Sequence, residues 1–306
     1  MMLSEFLNYD RLYLFKEVAE EYYCANKMIQ EDDMKRNLIH AAEYLRHVYA
    51  LPEKPSRLPL DDEGYLDCWK KAGSKNAFLF FKENFQIASE RFRWERQGDI
   101  CLSVTATLAG HIPVIRTKSH MDFCNLVGIF GGRETAMPYP ETVNACMMQA
   151  KQKNVFHHRI LLMNDAPYSS IAADKIGVPA GAWLEQSSKL RLRHECAHYE
   201  SLRLFDGMRN HALDEIMADA MGQIAAFGEF SAERQRIFFG LQQETGCCDG
   251  RLTFYTRNVF PDERHIIYEV VDKRLDALEL EIRQALSDGM SEYELLSHLL
   301  TCPLRT

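Results

Sequence analysis

Two histidines four residues apart, with a glutamate beside the first, stand out in this chain: His194-Glu195-Cys196-Ala197-His198. On a helix, four residues turn the side chain through about 400°, so both imidazoles leave one face and can grip one ion. Zn²⁺ suits such a pair, because it accepts neutral imidazole nitrogen and tolerates an open coordination position. Glu195 points sideways next to that ion. A carboxylate there can take a proton from an attacking water and later return it to a leaving amine. The five letters alone are suggestive; a surrounding helix and a third ligand give them weight.

A third ligand is available in LDEIMADAMG, on the helix expected next. A short turn folds that helix back beside the first and brings Glu215 towards the two histidines. Asp219 lies one turn further along the same face and can accept the other ring N–H of a ligand histidine. Two histidines, one glutamate and a water make an open tetrahedral site. Asp214 is a rival for Glu215 but lies about 100° round the helix from it. His211 is also one turn from Glu215, as a ligand, a substrate donor or a rim residue that contacts neither.

HECAH followed by EIMAD resembles the gluzincin class of zinc metallopeptidases, whose pattern is HExxH on one helix and ExxxD on a following helix. The resemblance covers residues 184–226. It implies one zinc ion per chain on His194, His198 and Glu215, Glu195 as general base, and Asp219 as the group that orients a ligand histidine. It also implies a zincin-like fold, with a small sheet before the first of these helices whose edge strand holds an extended peptide. HRILLMN, residues 158–164, is the segment chosen for that edge. Gluzincins commonly add a His or Tyr that stabilises the oxyanion. Tyr199, Tyr255, His265 and Tyr268 are the candidates here, and His265 is preferred because it opens a helix that could return over the cleft.

The function expected is therefore a zinc-dependent metallopeptidase acting on a peptide or protein substrate. The alternative keeps the metal and drops the hydrolysis: a zinc-binding regulatory or interaction protein. In a third reading the chain is a mostly helical interaction protein and HECAH is accidental. Other polar groups carry weaker signals. His111, His120 and Asp122 form a possible second metal set, but on different segments. His157 and His158 face opposite ways on a strand and do not easily serve one ion. Lys189, Arg191, Arg193, Arg203 and Arg209 make the two central helices locally basic, by default as a solvated face.

These residues need elements to position them, and the pattern of apolar residues supplies an outline. Residues 3–50 read as two helices, with Leu3, Leu7, Leu14 and Val18 in the first and Leu38, Ala41, Ala42 and Leu45 in the second. Pro52, Pro55 and Pro59 then make a stiff connector. A Phe-rich helix over 74–96, opened by Ser74, ends at Gly98. From Asp99 the pattern alternates with a period of two, giving a strand over 100–107, a turn at Gly110 and a partner strand in HIPVIRTK. LVGIF (126–130) and HRILLMN are further strand candidates. Helices follow over 184–204 and 209–226, with FDG (205–207) as the turn and Gly supplying the permissive backbone. Others span 231–244 and 262–287, and the last is opened by the capping-box pair Ser291 and Glu294. The fold class is α+β, mainly helical. The organisation expected is an N-terminal helical region over 1–97 and a catalytic region over 98–306. Within it lie the sheet (99–164), the site helices (184–226) and C-terminal helices (231–300).

Composition narrows the setting. The chain has 306 residues, 46% hydrophobic and 26% charged, in the globular range. Its net charge of -8 speaks against a broad nucleic-acid face. No secretion signal and no run long enough for a membrane span is read, so neither a nucleic-acid nor a membrane partner is expected. Nine cysteines, two of them adjacent at Cys247 and Cys248, fit neither a disulfide framework nor a metal knuckle. A reducing cytoplasm is the compartment expected.

Overall fold

The computed structural model describes residues 38–73, 75–242 and 247–304. It is a mixed α/β structure with a small sheet, and no described helix is long and apolar enough to cross a membrane. The helix expected around Leu3–Val18, and Ser74, lie outside the described residues. Among the described residues, the second expected helix is represented by α1 (Ala41–Tyr44). Two more helices precede the sheet, α2 (Leu66–Lys70) and α3 (Ala77–Phe85). Asn76 caps α3, its side chain accepting from the N–H groups of Phe78 and Leu79, so that the Phe-rich helix is much shorter than 74–96.

Strands β1 (Cys101–Thr107) and β2 (Gly110–Thr117) form the expected hairpin, with Gly110 at a φ of +87°. LVGIF is not a strand. It lies in α4 (His120–Phe130), whose N-terminus is capped by the Ser119 hydroxyl. Every residue from Asp122 to Phe130 is buried, and an apolar run buried all round looks the same as a strand in sequence. Strand β3 (Ala145–Gln149) was not foreseen, and β4 (Arg159–Asn164) was. The sheet order is β1-β2-β4-β3; β2 and β4 are parallel and β3 is antiparallel to β4. HRILLMN is thus an interior strand and not the edge. Its unbroken apolar run reflects burial on both faces: Leu161 and Met163 pack on one, Ile160 and Leu162 on the other.

After the short helix α5 (Ala173–Ile176), two long helices carry the motifs, α6 (Ala180–Phe205) and α7 (Ala212–Phe227). Leu192, Cys196 and Tyr199 of α6 pack on the sheet face formed by Ile112, Val114, Leu161 and Met163. α4 and the aromatic cluster of Trp69, Phe80, Phe81 and Phe85 cover the opposite face. α8 (Ala232–Phe239), the two-stranded ribbon β5 (Leu241–Gln242) and β6 (Cys247–Cys248), α9 (Leu252–Tyr255), α10 (Arg264–Ser287) and α11 (Glu292–Thr301) complete the chain. α8 ends at Gly240, in the left-handed region, before the expected limit of 244. Ala41, Tyr44, Leu45 and Tyr49 share one core with α7, α10 and α11, so the packing does not divide at residue 97.

α6 and α7 run antiparallel. Leu190 meets Gly222, His194 meets Asp219, and His198 meets Glu215, so each step forward on one helix is a step back on the other. At Gly222 the helices approach so closely that a Cβ would lie 2.8 Å from the Leu190 carbonyl oxygen. The turn between them works differently from expectation. Asp206 takes the left-handed conformation, at φ 51°, while Gly207 provides space: a Cβ there would fall 1.9 Å from the Ser201 hydroxyl.

Candidate metal centre

The antiparallel pair brings His194, His198 and Glu215 together. Among the described residues they are the one group of three whose ligand atoms could hold a metal ion, all within 4.8 Å of one another. The two Nε2 atoms are 3.0 Å apart. Glu215 Oε1 lies 3.4 Å from His198 Nε2, and Oε2 lies 3.7 Å from His194 Nε2. Ligands 2.0–2.1 Å from an ion at tetrahedral angles are about 3.3 Å apart, so the three spacings bracket that edge. All three residues are buried, and Glu215 Oε2 has no hydrogen-bond partner. A buried carboxylate oxygen left open towards two imidazole nitrogens is what a cation would satisfy. The local charge agrees. Burial pushes the His198 pKa down, but the charge and hydrogen bond of Glu215, with the charge of Glu195, outweigh it and raise the pKa to about 9.

The histidine tautomer is set from behind. His194 Nδ1 lies 2.9 Å from Asp219 Oδ1, which leaves Nε2 to face the cluster. Asp219 is fully buried, and both its oxygens are saturated. Oδ1 accepts from the Tyr168 hydroxyl at 2.5 Å and from His194; Oδ2 accepts from Gln235 Nε2 at 2.6 Å and from Arg251 Nη2. Burial alone would raise the Asp219 pKa; the Arg251 cation and the bonds from His194 and Tyr168 reverse this and hold the carboxyl well below the usual range. Gln235 is held in turn by Gln223, whose amide donates to it at 2.9 Å.

Glu195 is buried, and none of the described residues hydrogen-bonds its carboxylate. At 100° per residue, His194 and His198 point about 150° away from the sheet-facing residues of α6, and Glu195 falls roughly midway. Its charge is felt at His198 and at Cys146 of β3, whose thiol is pushed up first by burial and then by Glu195. Glu195 therefore leaves α6 between the cluster and the sheet, within electrostatic reach of β3. Asn144 and Ala150 pair with β4, Asn144 accepting from Asn164 N–H and Ala150 donating to His158 C=O. In an antiparallel ladder with that phase, the N–H and C=O groups of Ala145, Met147 and Gln149 point away from β4, along the open edge.

The remaining expected residues divide sharply. His265 is exposed in the first turn of α10, and no hydrogen bond or ion pair joins it to the cluster. Its helix packs on α8 and α1, not over the site. Tyr199 donates to Glu63 at 3.0 Å on the sheet side of α6, and Tyr268 meets Thr256 at 3.2 Å. Tyr255 is the candidate within electrostatic reach of the cluster: burial first, and then the charge of Glu215, raise its pKa far above the ordinary value. His211 is neither ligand nor rim. It is buried and caps α7, with Nδ1 accepting from Leu213 N–H and Nε2 donating to the Tyr44 carbonyl, so both ring nitrogens are used. Asp214 accepts from Tyr49 and from the N–H groups of Met208, Arg209 and His211, and is likewise structural.

No second metal set assembles among the described residues. His111 pairs with Asp62, His120 bonds the Tyr139 carbonyl, and Asp122 accepts from the N–H groups of Glu95 and Arg96. The basic residues are mostly tethers: Arg191 is buried on the carbonyls of Ala166 and Pro167, and Arg193 pairs with Glu200 at 2.8 Å. Tyr168, Gln235 and Arg251 were not foreseen. They lie 26, 16 and 32 residues from the groups they serve, Gln235 in the helix expected over 231–244 and the other two in connecting segments. An arginine with no carboxylate at helical spacing was the one available hint. No curated protein and no solved structure matches the chain. Residues 149–304, which include every group of the cluster and its supports, match a family model described as "Family of unknown function (DUF7005)". That stretch is just over half of the chain, and the chain belongs to this family.

Proposed function

We propose that the protein is a zinc-dependent hydrolase of peptide bonds, with a zincin-like fold of the gluzincin kind. The convergence of His194, His198 and Glu215 on one point, with Asp219 behind the first histidine, carries this reading. A zinc ion held by those three residues supplies Lewis-acid polarisation and a water of lowered pKa. Glu195, unpaired beside the cluster, takes the proton of the attacking water and passes it to the leaving amine nitrogen. Tyr255 replaces His265 as the donor towards the oxyanion, because it lies within electrostatic reach of Glu215 while His265 is exposed in solvent. The open backbone groups of Ala145, Met147 and Gln149 suit an extended peptide added as a further strand.

A second reading, a zinc site that serves structure or regulation, draws on the burial of all three ligand residues. One experiment separates the two. Glu195→Gln should keep about one zinc per chain by elemental analysis while peptide hydrolysis is lost; His194→Ala should lose the zinc. A wild-type chain that binds zinc but cleaves no member of a mixed peptide library favours the second reading. A chain without zinc ends both.

A further inference from the structure

We infer that Tyr168 is a positioning residue for the metal centre, acting through Asp219 and His194; this rests on the zinc reading above. Tyr168 sits in the loop between β4 and α5, outside both motifs, yet its hydroxyl lies at the junction of three groups. It donates to Asp219 Oδ1 at 2.5 Å, accepts from Arg251 Nη1 at 2.8 Å, and lies 3.0 Å from His194 Nδ1. The residue is buried, and the guanidinium groups of Arg191 and Arg251 lie 5.9 and 5.4 Å from its ring centre. Phe238 closes against it edge-on at 5.0 Å. The ring therefore has no freedom to swing, and the hydroxyl occupies a fixed point.

The hydroxyl has a specific effect on the histidine. Asp219 Oδ1 has two lone-pair directions in the carboxylate plane. Tyr168 occupies one, which leaves the other for His194 Nδ1–H. At the same time the hydroxyl oxygen satisfies an N–H of Arg251 that would otherwise compete for Asp219. Without the hydroxyl, Oδ1 has an empty lone pair, Arg251 Nη1 has no acceptor, and the carboxylate can rotate between His194 and Arg251. His194 then keeps its place on α6 but loses its fixed ring orientation, and zinc meets a less organised ligand set.

The test uses the full chain and zinc itself, with affinity read by competition against a chromophoric chelator. Tyr168→Phe keeps the ring and its packing and removes only the hydroxyl. Zinc affinity should fall about 10- to 100-fold, the range expected when a group orienting a ligand is lost. Tyr65→Phe is the control for a half-buried phenol lost elsewhere, since Tyr65 donates to Glu63 at 3.0 Å and to the Arg159 carbonyl at 3.2 Å and bonds none of the cluster residues or their supports. It should lower the melting temperature of the metal-free protein without changing zinc affinity. The double variant Tyr168→Phe/Asp219→Asn should bind zinc no more than about 3-fold more weakly than Asp219→Asn alone, because both act on one bond to His194. Wild-type zinc binding with an unchanged affinity in Tyr168→Phe, or fully additive losses in the double variant, overturns the inference and leaves the zinc reading intact. A wild-type chain whose zinc uptake does not depend on His194 overturns the zinc reading, and this inference with it.

Discussion

Replacing Asp219 by asparagine tests the support of the candidate centre most severely. The two side chains are nearly the same size, so size alone predicts tolerance. The hydrogen bonds predict the reverse. If the amide oxygen of Asp219→Asn remains on His194 and Tyr168, its NH₂ group meets Gln235 Nε2 and Arg251 Nη2, donor against donor. If the amide turns round, its NH₂ group faces His194 Nδ1. The imidazole must then accept there and carry its proton on Nε2, the nitrogen that faces His198 and Glu215. The first orientation costs stability and the second costs metal binding. Arg251 is left without its counter-charge in either case. Removing one partner of a fully buried pair costs about 3–5 kcal/mol. Arg251 keeps 21% of its side chain exposed and Glu215 stays near it, so a loss of about 1–3 kcal/mol is expected, still a sizeable share of the roughly 5–15 kcal/mol that a domain has. Urea unfolding of the metal-free protein should show that loss. Arg251→Met in the same chain should recover about 1–3 kcal/mol relative to the sum of the single variants, because it removes the stranded cation. An Asp219→Asn protein within about 0.5 kcal/mol of wild type, with additive double-variant energies, would mean that the Asp219–Arg251 pair does not support the centre.

Three further outcomes follow from particular contacts. Gly222→Ala places a methyl against the Leu190 carbonyl and should destabilise by about 1–3 kcal/mol despite alanine's better helix propensity; zinc affinity should fall with it, since the same helix spacing sets the distance from His198 to Glu215. His211 has its pKa pushed down to about 3, by burial first and by His47 second. The folded state keeps it neutral while the unfolded chain protonates near 6.5, so its contribution is full above about pH 6.5 and is lost as pH falls towards 3. Unfolding free energies between pH 4 and 7 should flatten in His211→Asn, which can still cap α7, and an unchanged slope would contradict the assignment. Ala145→Pro removes an N–H on the open edge of β3 and should raise the KM of the proposed peptide hydrolysis about 3- to 10-fold with the fold retained. Cys146→Pro removes an N–H paired with β4 and should prevent stable folding; equal stability of the two variants would reverse the strand's phase.

Local spacing made part of this molecule legible. The positions of His194 and His198, and of Glu215 and Asp219, are fixed relative to each other by the 3.6-residue repeat, which needs no knowledge of the rest of the chain. The Ser291–Glu294 capping box formed for the same reason, with Ser291 Oγ accepting from Glu294 N–H and Glu294 accepting from Ser291 N–H. The β1–β2 hairpin, closed by two residues and Gly110, is equally local. Packing across the whole fold set what lies opposite each group. LVGIF became a helix because it is enclosed on all sides, and HRILLMN became an interior strand because β3 pairs with its outer side. His211 became a cap once Tyr44 supplied an acceptor from 167 residues away, and His265 was left in solvent when its helix packed elsewhere. Tyr168, Gln235 and Arg251 came to Asp219 from three separate segments, because a buried carboxylate must have every lone pair answered by whatever donors the packing brings near. Spacing along a chain sets angles within one element; which elements meet depends on burying apolar faces and satisfying buried charge across the whole fold, and no short pattern encodes that.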